Sequence, residues 1–253
     1  MRATPDFHNS SIRGERRSMN AQEVLEQLQS LGSDRYRNTL MKHGVQEPVY
    51  GVKIEDLKKI QKAAGNDHEL ALKLYDTGVY DAMYLAGLMA DPEKMTKTLL
   101  RKWLQLATSP TLQEYTVPFL AAESRYGRDL ALEWMTSTKE NLAVAGWATM
   151  GSLVSITPDE KLNVNELKQL LKQARTQIHH APNRVRYWMN NFVISVGCYV
   201  EALSETAIKT AEKIGKVEVD MGETACKVPD AVAYIQKVEK RGTIGKKRKA
   251  ARC

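Results

Sequence analysis

The chain has 253 residues, of which 43% are hydrophobic and 26% are charged, a composition typical of soluble globular proteins. No apolar stretch approaches the ~18 residues of a membrane-spanning helix, so the sequence predicts no membrane span. Three cysteines without metal-type spacing exclude a disulfide-rich scaffold and predict reduced thiols in a cytoplasmic protein.

The formal net charge of +7 is concentrated near the C-terminus. Residues 237–253 contain eight Lys or Arg and one Glu, which equals the whole excess. Residues 1–19 contain four Arg and two acidic residues, so the body between these ends is slightly acidic. Any affinity for nucleic acid must therefore come from the tail or from local patches.

Residues 1–18 are polar and lack the apolar core of a signal peptide. They are predicted to be a disordered leader or a cloning remnant, with Met19 as a candidate second start. Asn20 and Glu23 form a capping-box pattern that opens the first helix, which Gly32 ends.

Turn residues separate the helical patterns that follow. A second helix begins at Ser33 and stops at Gly44. The next predicted helices span residues 54–64, 69–75, 80–90, 96–107, 111–123, 128–135, 140–154 and 165–179. Pro118 lies inside the helix predicted over 111–123 and should kink or divide it.

The stretch over residues 182–200 predicts a long helix, because Pro182 stands at its first turn. Its apolar stripe consists of Val185, Met189, Phe192, Val196 and Tyr199. Another face carries the DNA-binding candidates Arg184, Arg186, Tyr187 and Asn191. Guanidinium groups, a ring and an amide on one side of a helix suit a phosphate backbone, although they also suit a solvated helix face.

After this helix, alternation of Val217 and Val219 with charged residues predicts a short extended piece over 216–221. A last helix runs from Pro229 to Lys240. Residues 242–253 are predicted to be a disordered basic tail. The tail adds four DNA-binding candidates, Lys246, Lys247, Arg248 and Lys249.

Helix pairs that recur every ~30–40 residues are typical of a HEAT or armadillo solenoid. The predicted fold class is therefore all-α, a superhelical stack of antiparallel helix pairs formed by one domain over residues 19–241. No Walker loop, dinucleotide-binding glycine pattern, nucleophile elbow or zincin motif appears, so no cofactor and no metal are predicted.

Glu114 is the candidate catalytic carboxylate, because it lies on a helix whose neighbours are core candidates and beside the ring of Tyr115. A carboxylate near aromatic rings can stabilise a developing cation. Trp147 and Trp188 are the candidate aromatic partners, although an exposed or salt-bridged glutamate would produce the same local sequence.

The chain resembles the DNA alkylation repair proteins built from HEAT-like repeats, the AlkD type of alkylpurine DNA glycosylases. The resemblance covers most of residues 19–200. It rests on YGVKIEDLKKIQK, LALKLYDTGVYDAMYLAGLMAD, EYTVPFLAAES, LAVAGWATMGSL and APNRVRYWMNNFVISVGCYV. It implies a right-handed arc of helix pairs whose concave surface holds duplex DNA, and excision of N3- and N7-alkylated purines.

The resemblance carries the family's catalytic aspartate to Glu114. The family's preceding tryptophan falls on Pro110, its arginine near Gly146 and its late tryptophan near Asn191, with Trp188 one turn away. Relatives without glycosylase activity, thought to bind unusual DNA structures, share the fold. Three hypotheses follow: an alkylpurine DNA glycosylase, a non-catalytic binder of duplex or branched DNA, and a protein-interaction scaffold.

Overall fold

A computed structural model describes residues 19–222, 224 and 226–252 of the chain. This part is all-α, without a β-strand, so the predicted fold class is confirmed. Its helices are α1 Ala21–Leu31, α2 Asp34–Lys42, α3 Ile54–Ala64, α4 His68–Tyr75, α5 Tyr80–Met89, α6 Lys97–Leu106, α7 Val117–Glu123, α8 Gly127–Met135, α9 Glu140–Ile156, α10 Val164–Gln177, α11 Asn183–Tyr199, α12 Ser204–Ile214 and α13 Ala231–Lys240. The predicted leader lies outside the described residues.

Helices α4 to α12 are arranged in two layers. In the first layer α7, α9 and α11 lie side by side, and a π-helical turn, Leu112–Thr116, connects them to α5. In the second layer α4 packs on α5, α6 on α7, α8 on α9, and α12 on α11, with α10 beside α11 and α12. The regular spacing of turn residues in the sequence therefore corresponds to a stack of helix pairs.

Helix α9 occupies the middle of the stack, and most of its residues are buried. Such a helix needs neighbours on several sides, and it has them in α7, α8 and α11. Gly146 lets α8 approach closely, since a Cβ at this position would lie 2.5 Å from the backbone N of Met135. This close approach explains a glycine where an ordinary helix would favour alanine.

Pro118 divides the predicted 111–123 helix, as expected. Proline has no N–H, so the carbonyl four residues earlier, at Glu114, loses its helical partner. The chain widens there into the π-turn Leu112–Thr116, in which the Val117 N–H donates to the Leu112 carbonyl. The turn is followed directly by α7, and the disturbed backbone carries Glu114 and Tyr115.

Surface ion pairs connect successive helices of the second layer. The Lys97 Nζ to Asp129 Oδ2 and Lys102 Nζ to Asp76 Oδ1 distances are 2.7 and 2.8 Å. Two further pairs, defined here with the first two as the ion-pair ladder, are Arg101–Glu133 and Arg128–Glu166. The partners lie 26 to 38 positions apart, which is close to the predicted spacing of the helix pairs.

Three sequence expectations differ from the structure. Helix α12 was not predicted, because its buried positions are mostly small or polar: Ala207, Thr210 and Ala211. The extended piece over 216–221 forms no strand and is an irregular connection. Residues 242–252 are not a disordered tail but pack against the helix stack.

Candidate nucleic-acid interface

Glu114 is the most constrained side chain of the candidate site. The residue as a whole is only 3% exposed, although a carboxylate is rarely buried without partners. Arg184 Nε donates to Oε1 at 2.7 Å, and Arg184 Nη2 donates to Oε2. Trp188 Nε1 also donates to Oε2, at 2.9 Å. The carboxylate is therefore held by a bidentate guanidinium and an indole N–H.

The two halves of this ion pair come from different elements. The π-turn carries Glu114, and the first turn of α11 carries Arg184. The carboxylate of Glu140 accepts a hydrogen bond from the Arg184 backbone N at 2.8 Å, satisfying an N–H that α11 leaves unpaired. An acidic side chain is favoured at this end of a helix, so Glu140 helps to fix the start of α11.

Burial alone would lower the pKa of Arg184, because it disfavours the charged form. The hydrogen bonds and negative charge of Glu114 outweigh burial, so the pKa lies above its ordinary value. The guanidinium also lies 4.5 Å from the centre of the Tyr187 ring, a cation–π distance. Arg184 thus remains charged and is held on two sides.

Four aromatic side chains form a cluster next to this ion pair. Tyr115 meets Trp188 edge to face, with ring centroids 5.1 Å apart, and meets Phe119 in the same way at 5.6 Å. The rings of Tyr187 and Trp188 are also edge to face, with centroids 5.8 Å apart. Burial raises the pKa of Tyr115 above its ordinary value, so its hydroxyl stays protonated at neutral pH.

The structure does not support Trp147 as an aromatic partner of the site. Trp147 is 1% exposed as a residue, and its ring packs against Phe192 with ring centroids 5.2 Å apart. A ring so deeply buried in the core cannot present a face to a ligand. The sequence could not make this distinction, since a tryptophan at helical spacing suits a core and a site equally.

The other candidates on α11 point to different surroundings. Asn191 donates from Nδ2 to the Tyr187 carbonyl at 3.0 Å and lies beside Tyr187 in a surface cavity. Arg186 reaches the Asn183 Oδ1 at 3.4 Å, and its Nε is buried without a hydrogen-bond partner among the described residues. Arg184 and Arg186, both predicted to contact a phosphate backbone, therefore have different partners in the structure.

The predicted basic tail forms a strap, defined here as residues 243–252, along the ends of first-layer helices. Lys247 Nζ donates to the carbonyls of Val154 at 3.0 Å and Tyr199 at 2.6 Å and pairs with Asp159 at 2.7 Å. Val154 and Tyr199 lie at the C-terminal ends of α9 and α11, where unpaired carbonyls favour a cation. Lys247, which was predicted to bind DNA, therefore already has three partners within the fold.

The far end of the strap is held by Glu123 at the end of α7. Its Oε1 accepts from the backbone N of Ala251 at 2.8 Å and of Arg252 at 3.0 Å. Its Oε2 accepts from Arg252 Nε at 2.7 Å. Arg252 Nη1 also donates to the carbonyls of Gly87 and Ala90, both at 2.8 Å, at the end of α5. Composition alone could not reveal these acceptors, because most are backbone carbonyls.

Of the remaining tail candidates, Lys246 and Lys249 are exposed, and Arg248 is half-buried. The Arg248 backbone N donates to the Ser155 carbonyl at 2.8 Å, and its Nη2 donates to Ala251. The strap therefore divides its charges between anchors that face the helices and lysines that face solvent.

Two surface cavities meet at Tyr115 and Phe119 and are called the groove here. The larger, of about 320 Å³, is also lined by Tyr187, Asn191 and Arg248. The smaller, of about 160 Å³, is also lined by Arg252. The strap thus contributes to the wall of both cavities, a position that no local pattern in the sequence indicates.

Neither a membrane span nor a metal site is evident in the described residues. None of their helices combines the length and apolar character that crossing a bilayer requires. No group of three or more His, Cys, Asp or Glu is placed to hold a metal ion in this part of the chain. Cys198 is buried and Cys226 is exposed, and both are free thiols.

Comparison with known proteins agrees with this architecture. Residues 21–235 match the family described as "DNA alkylation repair enzyme". The chain is 34% identical over 223 residues to the uncharacterized protein Lmo0209 of Listeria monocytogenes and equally to Lin0241 of Listeria innocua, covering 85% of this chain and 95% of each relative.

One solved structure is also similar, with a TM-score of 0.85 and 34% sequence identity. The match covers 93% of this chain and 100% of that one. That structure is described as representing "a new family of proteins related to the HEAT-like repeat DNA glycosylases with affinity for branched DNA structures".

Proposed function

The chain belongs to the DNA alkylation repair enzyme family, and we propose that it is a DNA-binding protein. In this proposal it recognises branched DNA in the groove and does not excise bases. The observation that carries this proposal is that both carboxylate oxygens of Glu114 already accept hydrogen bonds from Arg184 and Trp188. The relative with affinity for branched DNA supports the choice of ligand, since similarity to it extends over 93% of this chain.

Excision of a base from its sugar builds positive charge on the sugar in the transition state. A carboxylate can stabilise that charge if it faces the sugar with an unneutralised oxygen. In this protein both carboxylate oxygens of Glu114 accept hydrogen bonds from the guanidinium of Arg184, and Oε2 also accepts one from Trp188. Its charge is already balanced and its side chain is 4% exposed, so Glu114 is poorly suited to catalysis.

The strap supports DNA binding by placing positive charge beside the groove. Lys246 and Lys249 are exposed on either side of residues that pack against α9 and α11. Phosphate contacts from such lysines supply sequence-independent affinity. The body of the chain has no comparable excess of basic residues, which makes the strap the main electrostatic feature available to DNA.

Binding is tested by fluorescence anisotropy with a four-way junction, a fork and a continuous duplex over a series of salt concentrations. We expect tighter binding to the branched DNAs. Replacing Lys246 and Lys249 together by Ala should flatten the slope of log K against log salt by about 0.9 for each phosphate that these lysines neutralise. Lys168→Ala with Lys172→Ala is the matched control, since both lysines are exposed on α10 in the second layer. Equal slopes for both double variants would contradict the role of the strap.

Absence of base excision is tested with DNA methylated at N3 of adenine or N7 of guanine. We expect no release of free base above the spontaneous rate. Enzymatic release that disappears in Glu114→Gln would overturn the proposal and assign catalysis to this carboxylate. Release that persists in Glu114→Gln would also overturn it, but would place the chemistry elsewhere.

A further inference from the structure

The groove gathers an unusual share of the exposed apolar surface. The described part of the chain exposes six large hydrophobic side chains, of which Ile54, Tyr115 and Tyr234 line the groove. Single exposed hydrophobic residues are ordinary, but a cluster in a cavity marks a binding surface. Tyr115 is central, because it is 36% exposed and lines both cavities.

Tyr115 and Phe119 form a ridge between the two cavities, called the aromatic ridge here. They lie four residues apart across the junction of the π-turn and α7, and their rings meet at an interplanar angle of 82°. Because the π-turn alters the direction of side chains, it determines how Tyr115 projects into the groove. The ridge is thus a consequence of the backbone change that Pro118 imposes.

The ridge is held rigidly from behind. The rings of Tyr115 and Trp188 are in edge-to-face contact, and Trp188 is fixed by its hydrogen bond to Glu114, which Arg184 holds in turn. A ring that is ordered before binding loses little entropy when a ligand stacks on it. The buried ion pair therefore has a use without catalysis, since it fixes the position of an aromatic surface.

The groove walls favour a nucleobase over an apolar peptide. An apolar peptide groove would be lined mainly by aliphatic residues. Here Arg248 lines the groove on the strap side, and the polar residues Asn191 and Ser195 line it on the α11 side. Rings flanked by cations and hydrogen-bonding groups are typical of surfaces that stack bases and contact phosphates.

We propose that the aromatic ridge is a stacking platform for a nucleobase whose face is left uncovered at a DNA branch point. This inference rests on the proposed DNA-binding function and identifies the feature of branched DNA that the groove recognises. In a continuous duplex each base is covered by its neighbours, so Tyr115 has no free face to contact. At a branch the stack is interrupted, and the ring of Tyr115 covers the free face.

The test uses four-way junctions that carry the fluorescent base 2-aminopurine at the branch or within an arm. Wild-type protein should quench 2-aminopurine fluorescence at the branch and leave the arm label unchanged, since the ring stacks only at the branch. Tyr115→Leu should remove the quenching and weaken junction binding by roughly 5- to 150-fold, the range expected for one base–aromatic stack. Its affinity for a continuous duplex should remain that of the wild type.

Tyr115→Phe is the conservative variant, since it keeps the stacking ring and should retain both the quenching and the affinity. Leu106→Ala is the control for an exposed hydrophobic residue outside the groove. Thermal melting of each variant identifies any loss of folding. If Tyr115→Leu is unstable, absence of branch-specific quenching by the wild-type protein would still overturn the stacking platform.

Different failures have different meanings. If the wild-type protein binds no DNA, the proposed function fails and this inference fails with it. If it prefers junctions but Tyr115→Leu binds them equally well, only the stacking platform is overturned. Equal weakening on junction and duplex would likewise overturn it, because the ring would then serve affinity and not recognition of the branch.

Discussion

Much of the free-energy cost of taking polar groups of this site out of water falls on the ion pair between Glu114 and Arg184. Taking a carboxylate and a guanidinium out of water is unfavourable, and only good geometry and further hydrogen bonds compensate for it. Glu114 is almost fully buried, whereas 29% of the Arg184 side chain is exposed. The two partners should therefore respond unequally to mutation, because only the carboxylate has no access to water once its partner is removed.

At this scale we predict that Arg184→Met destabilises the protein more than Glu114→Gln. Arg184→Met leaves a buried charge uncompensated, at a cost of about 3 kcal/mol. Glu114→Gln leaves Arg184 partly solvated and keeps one acceptor, at a cost of about 1–2 kcal/mol. Urea unfolding followed by tryptophan fluorescence measures both free energies.

The matched control is the double variant Glu114→Gln with Arg184→Met, which should be more stable than Arg184→Met alone because the orphaned charge is gone. Additive losses in the double variant would show that the two side chains do not depend on each other.

Among the elements, the strap differs most from what its composition indicates. Lysine- and arginine-rich sequence usually stays in solvent. Here Lys247 and Arg252 find backbone carbonyls at the ends of α9, α11 and α5, and Arg252 also pairs with Glu123. The side chains of Arg252 and Glu123 are 18% and 12% exposed, so this contact is nearly dry and should anchor the whole segment.

We therefore predict that Arg252→Ala releases the strap. Loss of the guanidinium leaves Glu123 without its cationic partner, at a cost of about 2–3 kcal/mol. Limited trypsin digestion should cleave the variant faster at Lys246, Lys247, Arg248 and Lys249. Lys249→Ala, at an exposed position, is the control and should leave cleavage at the other three sites unchanged. Unchanged protection in Arg252→Ala would mean that Lys247 alone holds the strap.

Across the whole molecule, the ion-pair ladder links one helix of the second layer to the next. The hydrogen bond and charge of Lys97 lower the pKa of Asp129, and the hydrogen bond from Arg101 lowers the pKa of Glu133 against the effect of burial. A carboxylate with a lowered folded pKa contributes stability above its unfolded pKa. That contribution is lost as the pH falls through the folded value.

We predict that the melting temperature decreases as the pH falls below about 4, where carboxylates with ordinary pKa values begin to protonate. Because the pairs are exposed, each contributes little, and high salt should reduce their combined effect. Differential scanning calorimetry between pH 7 and pH 3 measures the change. The variant Arg101→Gln with Lys97→Gln should show a shallower decrease, and a decrease as steep as that of the wild type would contradict the role of the ladder.

The sequence predicts the stack well because its signals are local. Gly44 and Pro118 act within a few residues, and amphipathic spacing identifies most helices without knowledge of their partners.

The candidate site was predicted less completely. Glu114 and Arg184 were both identified, but their pairing joins residues 70 positions apart and could not be deduced from either neighbourhood. Arg252 was missed, since its partners are a distant carboxylate and helix-end carbonyls.

The distances along the chain spanned by the strap imply an order of assembly. Its contacts to Glu123 and Gly87 connect residues 128 to 165 positions apart, whereas each helix pair joins near neighbours in sequence. Closing so long a loop is slow and is rewarded only once the helix ends that receive it exist. Refolding should therefore proceed in two stages, with rapid formation of the helical stack and later docking of the strap. A chain in the first stage would have its helices in place but would still lack the basic strap residues that line the groove. The proposed DNA-binding surface would therefore be completed last during folding.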